Sequence, residues 1–267
     1  MLKVLSRTYT ATSVRNTLDY IGREGELEME TRDGPIQDSD DRAALTDEWV
    51  AYNRSFHADG RNGRASISTH MMLSMPAGTD RHAFKQSVRD FVKDEFDPRH
   101  DYALTFHDDT DHPHAHLVVL TRDDEGQALQ IGRKNLDRWR EQFAEKLRGN
   151  GVEADASPRH ARGKFDKNLQ RGDYHQRNKG RLSANLAKEA RAVDQALREG
   201  RTPERPWDKV MRERREAIGV SYPAAAAELR QSTNAADRAL GERVATFERN
   251  MPPARTRHQK IVAEVSA

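Results

Sequence analysis

Four histidines fall within ten residues of this chain, in the run His107-Asp-Asp-Thr-Asp-His112-Pro-His114-Ala-His116. No other feature restricts the fold as tightly. Tyr102 to Phe106 precedes the run, Leu117-Val-Val-Leu120 continues it, and the acidic, turn-prone Asp108 to Asp111 lies between, a pattern that predicts a β-hairpin. Alternate side chains of a strand share a face, so His112, His114 and His116 point the same way. His107, at the end of the paired strand, can fold over toward them. Imidazoles meeting at one point are metal-site chemistry, since neutral histidine is the commonest ligand where cysteine is absent, and this chain has no cysteine. His114 and His116 head the ligand set, His107 follows, and His112, which precedes a proline, is placed as an outer or capping residue. Asp109 and Asp111 are candidates for orienting a ligand imidazole from behind.

The elements around the hairpin read as an α+β domain. Leu2 to Tyr9 forms a strand. Ser13 is the expected N-cap of a helix with Val14, Thr17, Leu18 and Ile21 on one stripe, ending near Gly25. Residues 26–65 are polar and turn-rich, with one helix around Leu45 to Phe56. Ser66 to Met75 alternates, placing Ile67, Thr69, Met71, Leu73 and Met75 on one face and Ser68, His70, Met72 and Ser74 on the other. An amphipathic helix over Ala83 to Phe96 follows. After the hairpin come a short strand at Leu129 to Ile131 and a helix through Leu136, Trp139, Phe143 and Leu147, closed by Gly149-Asn150-Gly151. The order predicts an antiparallel sheet backed by helices.

The texture changes after Ser157. Residues 1–157 carry 21 Lys/Arg against 29 Asp/Glu, whereas residues 158–267 carry 24 against 14. The expected domains are therefore 1–157 and a basic, mainly helical 158–267, with helical patterns near 184–199, 207–218 and 223–249. A basic segment of this size suits a polyanionic partner. Within it Arg159, Arg162, Lys164, Lys167 and Arg171 can neutralise phosphates, and Tyr174 can stack on an unpaired base, a combination suited to single-stranded nucleic acid.

Composition removes several classes. Only 35% of the 267 residues are hydrophobic, below the ~45–50% of an average globular domain, so part of the chain is expected to be thinly packed or partner-dependent. The longest apolar runs are four residues, far short of the ~20 that span a bilayer, so no membrane insertion is expected. The opening residues lack the apolar stretch of a secretion signal, which makes the cytoplasm the expected location. No phosphate-binding Gly-x-x-x-x-Gly-Lys-Ser/Thr loop occurs.

At ~100° per residue Tyr20 falls on the flank of the first helix's apolar stripe, where its hydroxyl can be reached. A tyrosine beside a metal suggests phosphodiester chemistry, in which the phenol, pKa ~10, must lose its proton to attack phosphorus. Three stretches together resemble the DNA relaxases of the MobP type, within the His-hydrophobic-His endonucleases and alongside the T-DNA border nickases of tumour-inducing plasmids. Leu18-Asp-Tyr20-Ile-Gly-Arg-Glu-Gly25 is similar to that family's nucleophile motif. Thr69-His70-Met-Met-Leu-Ser74-Met-Pro-Ala-Gly-Thr-Asp80 is similar to its second motif, and Phe106-His-Asp-Asp-Thr-Asp-His-Pro-His-Ala-His116 to its metal motif.

The resemblance covers roughly residues 1–165. It implies that Tyr20 attacks DNA at a transfer-origin nick site, leaving a 5′-phosphotyrosyl link and a free 3′-OH. It further implies that His107, His114 and His116 hold Mg²⁺ or Mn²⁺ and that Ser74 helps fix the DNA. The partners it implies are single-stranded DNA, an auxiliary relaxosome protein and a type IV secretion coupling protein, with export alongside the transferred DNA. The alternatives are a rolling-circle replication initiator with the same chemistry and a non-catalytic transfer-origin-binding or secretion-adaptor protein.

Overall fold

The computed structural model describes residues 1–56, 65–158, 161–163, 176, 179–181, 183–201 and 205–266. The chain divides into two compact units, Met1–Ala156 and Ser157–Ala267.

The first unit is built on a six-stranded sheet in the order β1-β4-β6-β5-β2-β3, from β1 (Leu2–Thr8), β2 (Met29–Thr31), β3 (Gly34–Ile36), β4 (Ser68–Ser74), β5 (Tyr102–His107) and β6 (His114–Leu120). Every neighbouring pair is antiparallel. The alternation of the strands gives the sheet two distinct faces. On one, Leu2, Met71, Leu73, Leu104, Ala115, Leu117 and Val119 pack with Phe84, Val88, Phe91, Trp139 and Phe143 from α3 (Arg81–Glu95) and α4 (Arg133–Gly149). On the other, Ala103, Val118 and Leu120 pack with Val14, Leu18, Ile21, Trp49 and Val50 from α1 (Ala11–Ile21) and α2 (Ser39–Ser55). This second face has fewer apolar residues, and its remainder is where the histidines stand.

Several local expectations are revised. The N-cap of α1 is Thr10, and Ser13 is the third helical residue of a reciprocal capping box, so the helix begins before its apolar stripe does. Residues 26–65 hold the β2–β3 hairpin, which joins the sheet through Glu30 opposite Leu104 and Thr31 opposite Ala103. These strands are too short to show a period. Helix α2 starts at Ser39, capped by Asp38, whose side chain accepts from the Asp40 and Asp41 N–H groups. Leu129 to Ile131 is not a strand; its neighbourhood contributes only an isolated bridge between Arg122 and Ala128. β6 opens at His114 rather than His112, because Pro113 has no N–H to give to a ladder.

In the second unit α5 (Ala184–Arg198) packs with α8 (Arg257–Ser266), and α6 (Pro206–Arg230) with α7 (Ala235–Arg249). Helix α6 runs unbroken through Pro223, where two separate helical patterns are expected from the sequence. Gly241 allows a close approach between α6 and α7, since a Cβ there would stand 2.9 Å from the Ala226 carbonyl oxygen. A small core of Ile218 and Met251 is flanked by Tyr222, whose hydroxyl donates to the Ala161 carbonyl at 2.7 Å. Among the described residues no helix is long and apolar enough to cross a membrane.

Candidate active site

The hairpin register brings the histidines together. His107 on β5 stands opposite His114 on β6, and His114 opposite Ser74 on β4. One row along, His116 faces Thr105 on one side and Met72 on the other. Directly paired residues share a face, so His107, His114, His116, Met72 and Ser74 project to the same side. One nitrogen from each of His107, His114 and His116 lies within 4.8 Å of the others, a set of donors compatible with a divalent metal.

Outer hydrogen bonds prepare these nitrogens. His107 Nε2 lies 2.7 Å from the Ile21 carbonyl oxygen, which can only accept, so Nε2 carries the proton and Nδ1 keeps its lone pair. His114 Nδ1 lies 3.1 Å from the His112 carbonyl oxygen, which by the same argument leaves Nε2 as the free acceptor. His112 therefore acts behind the cluster through its backbone, while its side chain is exposed.

His70, absent from the ligand set drawn from the sequence, is the fourth member of the cluster. It is buried on β4, and its Nε2 lies 2.8 Å from His116 Nδ1. Burial pushes both rings toward the neutral form, His70 to about 4 and His116 to about 3, reinforced by repulsion from the neighbouring imidazoles. Burial likewise lowers His107, against the opposing effect of its bond to the Ile21 carbonyl. Neutral imidazoles are what a cation requires.

Tyr20 occupies the last turn of α1. Leu18 and Ile21 beside it are fully buried, yet Tyr20 is 63% exposed. Its ring stands edge-on to His116 at 5.8 Å and to His70 at 6.4 Å between centroids. The preceding Asp19 accepts from Arg15 Nε and, at 2.8 Å, from Nε of the buried Arg42, which ties the end of α1 to α2. Arg23 and Glu24 then follow with φ of +49° and +56°, a left-handed conformation that non-glycine residues adopt at a cost of ~1 kcal/mol or more each. Arg23 leaves this turn to pair with Asp109, whose other oxygen lies 4.0 Å from His114 Nε2. The Arg23 guanidinium holds the Asp109 carboxyl below the usual carboxylate range.

The remaining expected site residues are distributed as follows. Asp111 is exposed in the turn, and among the described residues no ion pair joins it to a histidine. Its neighbour Asp108 instead takes Arg81 at 2.9 Å and Lys85 at 2.7 Å, fastening the turn to α3. Ser74 ends β4 beside His114. Arg162 is exposed in a turn of the second unit, whereas Arg159, Lys164, Lys167, Arg171 and Tyr174 lie outside the described residues. His70 was visible on the polar face of its strand, but its partnership with His116 depends on β4 lying next to β6, which no local pattern states.

Comparison with known proteins supports a relaxase nuclease domain. Residues 20–152 match the model of a relaxase family described as the MobA/VirD2-like nuclease domain. The T-DNA border endonuclease VirD2 of Rhizobium radiobacter is 33% identical over 174 residues, 58% of this chain and 40% of that protein. The protein of the same name from Agrobacterium fabrum strain C58 is 31% identical over 208 residues, 71% of this chain and 45% of its own length. That of Rhizobium rhizogenes is 30% identical over 215 residues, 74% and 48% respectively. The chain thus spans less than half the length of these relatives.

Proposed function

We propose, because the chain belongs to the MobA/VirD2-like relaxase family through its nuclease domain, that it nicks one DNA strand at the transfer origin of a plasmid or integrative element and stays attached to it. The observation that carries this reading is Tyr20, more than half exposed and edge-on to two imidazoles of the histidine cluster. Tyr20 Oη attacks the scissile phosphorus, a new Oη–P bond forms, and the P–O3′ bond breaks. The phenolic proton is lost to solvent or a neighbouring base, the departing 3′-oxygen gains one, and the 5′ fragment leaves with a free 3′-OH. Phosphotyrosyl linkage keeps the energy of the phosphodiester, so the reverse attack by a 3′-OH rejoins strands without a nucleotide cofactor.

His107, His114 and His116 hold Mg²⁺ or Mn²⁺ in this reading, His70 orients His116 and the His112 carbonyl orients His114, while Asp109, paired with Arg23, stands 4.0 Å from His114 Nε2 on the side left open to the ion. A bound divalent ion supplies positive charge to the non-bridging phosphate oxygens as negative charge builds on them. Ser74, beside His114, contacts the DNA next to the cut. The basic second unit adds affinity for the strand or docks partners, an auxiliary relaxosome protein and a type IV secretion coupling protein, in the cytoplasm and with the transferred DNA.

The test is nicking of single-stranded oligonucleotides tiling a candidate transfer origin, with the label on either side of the cut. The chain should retain the 3′ fragment through its 5′ phosphate after SDS, and Tyr20→Phe, which keeps the ring, should bind DNA but form no adduct. An adduct formed by Tyr20→Phe would reassign the nucleophile. Cutting confined to replication origins would favour a rolling-circle initiator, and DNA binding without any adduct a non-catalytic adaptor.

A further inference from the structure

Four of the five exposed large apolar side chains described in the first unit lie along two consecutive elements. The five are Met1, Leu5, Tyr9, Tyr20 and Phe56. Phe56 is engaged by the Tyr52 ring and the Arg122 guanidinium. The other four lie on or next to β1 and α1, the two elements that lead into the tyrosine.

β1 is an edge strand, paired with β4 alone among the strands, and at its start the Leu2 carbonyl accepts from Arg140 Nε of α4 at 3.4 Å. Its register places Lys3 opposite Met72, in the row that continues to His116, and Ser6 opposite His70. Between them the ladder slips, with Val4 opposite Met71 and Ser6 opposite His70, which makes Leu5 the extra residue of a bulge. The bulge resets the alternation, so Lys3 and Ser6 both stand on the face of the histidine cluster, with the exposed Leu5 between them. Strands ~4.8 Å apart put Lys3 roughly 10 Å from His116. Lys3 has no carboxylate partner among the described residues, although Arg15, Arg23, Arg32, Arg42, Arg81 and Lys85 of the same unit are all paired.

A protein strand added to this edge would need an uninterrupted ladder, which the bulge denies and an edge lysine discourages. Single-stranded DNA needs cations for its phosphates and rings or apolar side chains for its unpaired bases. We propose that the bulged edge of β1 is the track for the DNA strand running to Tyr20, with Lys3 on a backbone phosphate and Leu5 and Tyr9 against bases. The proposal rests on the nickase reading and specifies which surface carries its substrate.

The experiment measures, on the full chain, anisotropy of a labelled single-stranded oligonucleotide across a range of salt, together with the SDS-stable adduct from the same preparation. Tyr9→Ser should weaken binding about tenfold, and Tyr9→Phe, which keeps the ring, should recover it. Lys3→Gln should reduce the salt slope by ~0.7. Both variants should take up Mn²⁺ as the parent does, since neither touches the histidines. If the parent forms adduct but Tyr9→Ser and Lys3→Gln bind with parental affinity and slope, the track lies elsewhere. If the parent forms no adduct while the edge variants still lose binding, the nickase reading fails and the binding surface stands. A peptide strand competing the oligonucleotide off the parent but not off a Leu5→Pro variant would overturn the proposal in favour of a protein partner.

Discussion

His70 Nε2 and His116 Nδ1 are 2.8 Å apart, and both imidazoles are buried. Two neutral rings at that distance share one proton, and which ring owns it decides whether His116 can serve as a ligand. With the proton on His116 Nδ1, donated to His70, the Nε2 lone pair of His116 is free. With it on His70 Nε2, His116 Nε2 is protonated and closed to a cation. If His116 is a metal ligand as proposed, His70 is a positioning residue, set to accept.

Replacing His70 by Ala should lower Mn²⁺ affinity ~10–100-fold, the usual cost of losing a group that orients a metal-bound histidine. His70→Gln, whose amide oxygen can accept the same hydrogen bond, should recover part of it. Calorimetric titration with Mn²⁺ checks this, and parental affinity in His70→Ala would remove His70 from the site.

His114→Ala and His116→Ala should each abolish metal-dependent cleavage and weaken metal binding. Imidazole-rich sites favour the later divalent ions over Mg²⁺, so Mn²⁺ should support nicking at lower concentration than Mg²⁺. Full activity in EDTA, or in the double variant, would exclude the triad as a metal site.

The metal-free protein should lose stability as acid is added. His70 and His116 titrate near 4 and 3 in the fold, against ~6.5 in an unfolded chain. Below pH ~6.5 the unfolded chain therefore binds more protons than the native one, and stability falls with pH down to about 4. Above ~6.5 both states are neutral at these rings and their contribution is flat. Denaturant titrations in EDTA between pH 4 and 8 should show the slope in the parent and a shallower one in His70→Gln/His116→Gln. Identical slopes would contradict the burial-driven shifts.

Gly126 offers a control remote from the chemistry. It has φ of +77°, and a Cβ there would stand 2.2 Å from Phe56 Cε1. Gly126→Ala should destabilise the first unit by ~1–3 kcal/mol, from the left-handed conformation and the displaced ring. Thermal melts measure this, and an unchanged Tm would mean that Phe56 moves aside at no cost.

Much of the first unit was legible because its central strands, buried on both sides, turn an apolar row to α3 and α4 and a more polar row to the other face. The alternation of Ser66 to Met75 and the parity of His114 and His116 follow from one face meeting α3 and α4, and local spacing reports that directly. The β2–β3 hairpin was not legible, because three-residue strands have no measurable period. The early start of α2 was missed for a different reason: its first turn is polar and announced only by the Asp38 cap.

The sequence by itself determined the hairpin, the shared face of His114 and His116, and a tyrosine set off its helix's apolar stripe, because each depends on residues a few positions apart and on the fixed periods of strand and helix. Tertiary structure alone decided that β4 lies between β1 and β6, which sets His70 against His116 across 46 residues of chain and Arg23 against Asp109 across 86. Strand order and register arise from long-range backbone hydrogen bonds and the burial of both sheet faces, and no local periodicity encodes which strand becomes whose neighbour.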